Sequence, residues 1–240
     1  MSNNYESIQH SPKKSQTFGR QVIDFYNNIK APNVKKFGVE IINPHQSNQT
    51  RACVDSFYQK YYNDNSERIF VFGINPGRFG SGVTGVPFTD PIALEDYCDI
   101  ENNLQKRKEL SSDFVYQCIN AFGGSQEFFK SFYLTAVSPI GFSRKSKNYN
   151  YYDDKDFLQH IRQFLITTIK NQIDFGANRN SVVILGSGKN LKNFESINEE
   201  LNFFQTVHVL EHPRYIMQYK RKNIDEYITK YIRVFKKCLK

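Results

Sequence analysis

The sequence predicts an α/β protein built on a parallel sheet with helices on both faces. Three observations predict it. Four short apolar runs recur along the chain, at Arg68–Phe72, Phe132–Val137, Ser181–Leu185 and Thr206–Leu210. Segments with helical spacing of apolar residues separate them, which is the pattern of strands joined by helical crossovers. Each run then empties into a loop carrying glycine, proline or histidine. Ligands of such sheets bind outside the carboxyl ends of the strands, so four strand-end loops assemble one site.

The elements follow in order. Residues 1–15 are polar and rich in Ser, Asn and Lys, and are expected to fray. Residues 16–240 then read as one domain, since no linker or internal repeat divides them. Apolar residues from Phe18 through Ile29 fall at helical spacing. Val39–Ile42 reads as a short extended piece, and Val54–Tyr62 as a second helix with an aromatic side. Arg68–Phe72 is apolar at nearly every position, as a strand buried on both faces would be. After it, Asp90-Pro91 opens a helical stretch, and Ser112-Asp113 is placed to cap a helix ended by Gly123-Gly124. Phe132–Val137 closes at Ser138-Pro139, and a polar, basic loop spans residues 143–152. Asp153-Asp154 starts a long amphipathic helix, and a last helix covers Ile224–Leu239.

Composition narrows the function. The chain of 240 residues carries a formal charge of +8, which suits a polyanionic partner or a lysine-rich soluble surface equally. No apolar run is long enough to span a membrane, and no apolar signal core opens the chain, so cytoplasmic residence is the expectation. The four cysteines, Cys53, Cys98, Cys118 and Cys238, form no C-x-x-C pair, which argues against a zinc site or a disulfide framework. No H-E-x-x-H or EF-hand pattern offers another metal site.

Among the loops, Leu185-Gly186-Ser187-Gly188-Lys189-Asn190 is only superficially a phosphate loop. Val183 stands where the first glycine belongs and Asn190 replaces Ser/Thr. What remains is a tight turn whose amides and Lys189 can meet a DNA phosphate, or a plain turn with an exposed lysine. The spacing Gly77-x-x-Gly80-x-Gly82 does not match a dinucleotide fingerprint, and Pro76 and Pro87 obstruct the helix it needs. His212 directly follows the last strand, with Pro213 stiffening its loop. No nucleophile elbow or Cys-His pair is present. Chemistry here therefore falls to a polarising histidine, a water held by an asparagine, and backbone amides.

Two stretches carry a family resemblance. Gly73-Ile74-Asn75-Pro76-Gly77-Arg78-Phe79-Gly80, followed by Thr84-Gly85-Val86-Pro87-Phe88, resembles the first motif of single-strand-selective monofunctional uracil-DNA glycosylases. His212-Pro213-Arg214-Tyr215 resembles the second motif of the wider uracil-DNA glycosylase superfamily. The resemblance covers about residues 66–235. It implies a three-layer α/β/α sandwich around a central four-stranded parallel sheet, and removal of uracil from DNA by a monomer. Asn75 would hold the hydrolytic water and Phe88 would stack on the extruded base. His212 would bond the uracil O2. Gly73, Ile74, Gly77 and Phe79 would shape the substrate pocket, while Pro213, Arg214 and Tyr215 fill the gap left in the duplex.

One position departs from the family pattern. The asparagine that reads the base three residues before a proline is Ala136 here, which leaves Thr135, Ser138 or backbone to do the reading. Deaminated purines such as xanthine and hypoxanthine thus join uracil as candidate substrates, and a catalytically silent DNA-binding module is the alternative. Asp90 is expected to cap the following helix rather than activate water. Superfamily branches with an iron–sulfur cluster need four suitably placed cysteines, which these four are not, so no cofactor is expected.

Overall fold

The computed structural model describes residues 16–240, so the segment 1–15 expected to fray lies outside the described residues. Helix α1 (Phe18–Asn28) is followed by strand β1 (Glu40–Ile42), helix α2 (Asn48–Tyr61) and strand β2 (Arg68–Gly73). The glycine-dense stretch carries a single helical turn, α3 (Ser81–Thr84), and three helices follow: α4 (Pro91–Asp96), α5 (Leu110–Phe122) and α6 (Ser125–Ser131). Strand β3 (Phe132–Ala136) leads to a hairpin of β4 (Gly141–Arg144) and β5 (Lys147–Tyr149). The chain continues through α7 (Lys155–Ile173), β6 (Ala177–Leu185), α8 (Lys189–Leu201), β7 (Thr206–Leu210), α9 (Pro213–Tyr219) and α10 (Ile224–Cys238).

The four apolar runs form one sheet in the order β3-β2-β6-β7, with every neighbouring pair parallel. All six residues of β2 are buried, as its unbroken apolar run requires for a central strand covered on both faces. Alternate side chains show which helices do the covering. Phe70 of β2 and Tyr133 of β3 both pack on Phe18 of α1, and Phe72 packs on Phe194 of α8. Phe132, on the opposite side of β3, packs on Phe122 of α5 and Phe235 of α10. Helices therefore lie on both sides of the sheet, and the three-layer α/β/α arrangement around four parallel strands is the observed fold.

Three local expectations change. The cap of α5 is Glu109, whose carboxylate accepts the Ser112 N–H at 3.3 Å, rather than Ser112-Asp113. The basic stretch 143–152 is no plain loop: β4 pairs antiparallel with β1 and with β5, making a second, three-stranded sheet. Its strands are three or four residues long and polar, and their partner β1 lies about a hundred residues away, so local composition carries no strand signal. Third, the His-Pro-Arg-Tyr stretch is the start of α9, with His212 as its cap and Pro213 in the first turn. Proline fits there because its missing N–H would have had no partner in that turn.

Candidate active site

The carboxyl ends of β2, β3 and β7 open into one cavity of about 600 Å³. Ile74, Asn75, Gly77, Phe79, Phe88, Ala136, His212 and Arg214 all line it. Residues far apart in sequence thus meet at the switch of the sheet, and their orientation decides what they can do.

Asn75 is clamped by backbone. Its amide nitrogen donates to the carbonyls of Pro76 and Tyr149, each at 3.3 Å, and its Oδ1 accepts the Tyr151 N–H at 3.1 Å. This pattern fixes which end of the amide is oxygen and leaves Oδ1 one lone pair to accept from a water. The clamp is itself anchored. The Tyr151 hydroxyl donates to Asn190 Oδ1 at 2.8 Å, and the Asn190 amide nitrogen donates to the Leu185 carbonyl at 3.0 Å. Asn190, which spoils the phosphate-loop pattern, is 1% exposed and ties the ends of β2 and β6 to this clamp.

Phe88 and Gly73 require each other. Phe88 sits at φ 56, a left-handed conformation rare outside glycine and costing about 1–3 kcal/mol. That conformation lays its ring over Gly73, where a Cβ would lie 2.4 Å from Phe88 Cζ. Gly73 therefore shapes the pocket from behind the ring rather than lining it. The ring also stands 6.2 Å from the His212 ring, centroid to centroid.

His212 is set by its own turn. Its Nδ1 accepts the Arg214 N–H at 3.2 Å, so a neutral imidazole carries its hydrogen on Nε2. Burial, reinforced by the Arg214 charge, pushes its pKa down to about 4. The ring is a neutral N–H donor at the cavity wall.

The other expected residues divide. Ala136 lines the cavity with a methyl group and Thr135 lines it beside β3, but the Thr135 hydroxyl is committed to Gln172 Oε1. Ser138 does not line it: its hydroxyl is buried and donates to the Ile140 carbonyl at 2.7 Å. Asp90 is a cap, taking the N–H groups of Ile92 and Ala93 on one oxygen and that of Glu109 on the other. Pro213 is buried behind His212. Tyr215 is exposed beyond the rim, and Lys189 is exposed at the start of α8, both outside the cavity.

Several residues of the site went unread in the sequence. Arg107 stacks its guanidinium 3.6 Å from the Phe79 ring centroid, with Arg78 on the same ring at 4.9 Å. Asn148 accepts the Arg78 N–H at 3.1 Å and so holds the glycine loop against β5. Lys147 and Glu109 complete the rim, and burial pushes the Glu109 carboxyl up from its ordinary range. Arg107 sits in a charge-dense stretch and Asn148 in a polar one, where nothing in the local pattern separates them from surface residues. Among the described residues, His, Cys, Asp and Glu side chains form no group of three that could hold a metal ion.

A fold of this topology, with an asparagine, a phenylalanine and a histidine meeting at its strand ends, defines a class. The family model of the uracil DNA glycosylase superfamily matches residues 59–236, and the chain belongs to that superfamily. Among solved structures it is similar to wild-type SMUG2 of Pedobacter heparinus, at 42% sequence identity and a TM-score of 0.89. The match covers 93% of this chain and 99% of that one. No curated protein matches the chain. The function is accordingly of the uracil-DNA glycosylase type, and the family acts on DNA. Among the described residues, no helix is long and apolar enough to cross a membrane.

Proposed function

We propose that the protein is a monofunctional DNA glycosylase that hydrolyses the N-glycosidic bond of uracil in DNA and leaves an abasic site. Xanthine and hypoxanthine are further substrates in this reading, and the enzyme works as a cytoplasmic monomer. The single observation that carries it is the convergence of Asn75, Phe88 and His212 on one cavity in orientations that suit the chemistry.

A base must leave the duplex stack before its glycosidic bond is reachable, which costs a few kcal/mol. Arg78, Arg107, Lys147 and Arg214 around the mouth offset this by meeting phosphates, and Arg214 beside His212 can occupy the vacated space. Phe88 then stacks on the extruded base. As the bond to C1′ breaks, its electron pair leaves with the base and the sugar becomes oxocarbenium-like. His212 Nε2–H donates to the base oxygen where negative charge gathers. A neutral donor suffices, and such a pre-aimed contact supplies about 10²–10³ in rate. Asn75 Oδ1 holds a water whose oxygen attacks C1′, and that water's proton ends on the departing base or solvent. Every group needed lies within one chain, which supports a monomer.

The test uses oligonucleotides carrying one uracil, xanthine or hypoxanthine, in single and double strands, with abasic sites revealed by alkali. Release of uracil with strand breaks only after alkali is the expected result. Binding without abasic product from any of the three would leave the silent module, the reading that Ala136 alone favours.

A further inference from the structure

Ala136 leaves β3 without a polar side chain to meet the base, yet the cavity floor is not apolar. Tyr26 of α1 lines it together with Thr135 and Ala136, retaining 3% exposure. Its ring is fixed by stacking on His45, with centroids 4.1 Å apart and planes within 16°. Its hydroxyl lies beside the hydroxyls of Tyr133, Thr135 and Tyr58.

That neighbourhood has more hydrogens than acceptors. Thr135 already donates to Gln172 Oε1. The hydroxyls of Tyr58 and Tyr133 and the amide nitrogen of Gln172 are buried without a hydrogen-bond partner among the described residues. A hydroxyl has one hydrogen and two lone pairs. With Tyr58 and Tyr133 able to donate from beneath, the lone pairs of Tyr26 are filled on the protein side and its hydrogen is left for the cavity. Burial pushes the Tyr26 pKa up to about 12, so that hydrogen stays in place at neutral pH.

We infer that Tyr26 is the base-reading residue: its hydroxyl donates a hydrogen bond to a carbonyl oxygen on the edge of the extruded base that faces the floor. The inference rests on the glycosylase reading for the ligand it names. A donor-only reader accepts a carbonyl and rejects an amino group, whose own hydrogens would stay unpaired against it. Deamination makes that exchange, a carbonyl where an amino group stood, so one hydroxyl serves pyrimidine and purine products alike.

The test compares wild type with Tyr26→Phe, which keeps the ring and its stack on His45 and removes only the hydroxyl. The probes are duplexes carrying 2′-fluoro-2′-deoxyuridine, 2′-fluoro-2′-deoxycytidine or an abasic-site analogue, whose binding needs no hydrolysis. Wild type is expected to prefer the uridine probe over the cytidine probe, and Tyr26→Phe to lose at least about tenfold of that preference. Binding to the abasic analogue and the melting temperature should stay near wild type, which a merely structural role would not allow. Tyr133→Phe, which removes one donor from behind Tyr26, should lower the preference in the same direction by less, and it carries the test if Tyr26→Phe does not fold. An unchanged preference in Tyr26→Phe, or none in wild type, overturns the inference. A wild-type enzyme that releases uracil while Tyr26→Phe keeps its preference sinks the reader and spares the glycosylase. Preference lost in Tyr26→Phe with no uracil released by wild type does the reverse.

Discussion

Asn75 and His212 stand at the ends of β2 and β7 and face the same cavity, but they are held in opposite ways. His212 is oriented by the N–H of Arg214, two residues on, within the turn that starts α9. Asn75 is oriented by Tyr149 and Tyr151, which follow β5 in the second sheet. One residue carries its geometry in its own motif; the other borrows it from a hairpin more than seventy residues away. The histidine should therefore tolerate damage to the hairpin, and the asparagine should not.

The sharpest test removes each side chain in turn. Asn75→Ala is expected to lower uracil release by about 10³-fold and His212→Ala by about 10²-fold, with duplex binding changed far less. Single-turnover cleavage on a uracil oligonucleotide reads both. If the two act on separate parts of the transition state, the double variant loses roughly the product of the two factors. A double variant no worse than Asn75→Ala alone would show that the water and the leaving base are handled as one unit.

A smaller effect separates the two modes of support. Tyr151→Phe removes the hydroxyl bond to Asn190, and Asn190→Ala removes that bond together with the tie to the Leu185 carbonyl. Each loosens the clamp without touching the cavity, so about tenfold slower cleavage with near-normal DNA binding is expected. The hydrogen bond from Arg214 to His212 lies outside this chain of contacts, so the pH profile should keep its shape. Loss of DNA binding equal to the loss of rate would mean that the hairpin positions DNA rather than Asn75.

The same contrast sets what could be read from the sequence. The four parallel strands were legible because each is a short apolar run bounded by turn residues, and a central strand such as Phe70-Val71-Phe72 has no other reading. Asn75, Phe88 and His212 were legible because strand-end motifs carry them. The antiparallel sheet of β1, β4 and β5 was not, since its few polar residues become strands only by pairing across the fold. Tyr26 shows the same limit from the other side. Helical spacing places it among the core residues of α1, and only the folded chain brings its hydroxyl under Ala136. Ser138, chosen for its nearness to Pro139, turned out to spend its hydroxyl on the next turn of backbone.

The smallest expected effect concerns protons. In the folded protein the His212 pKa lies near 4, below its ordinary value of 6.5, because burial and Arg214 disfavour the charged ring. His45, behind Tyr26, is likewise pushed down to about 4 by burial and Arg51. Between pH 6.5 and 4 the unfolded chain thus binds more protons than the folded one, so stability falls as the solution is acidified through that window. His212→Ala removes one of the two contributions, and its melting temperature should fall less steeply from pH 7 to pH 4.5 than that of wild type. Cleavage should hold level from pH 7 to 5, because His212 stays a neutral donor throughout. An activity step centred near 6.5 would instead place an ordinary, solvated imidazole at the wall of the cavity. In that case the locally built histidine would need outside support after all, and the contrast with Asn75 would fail.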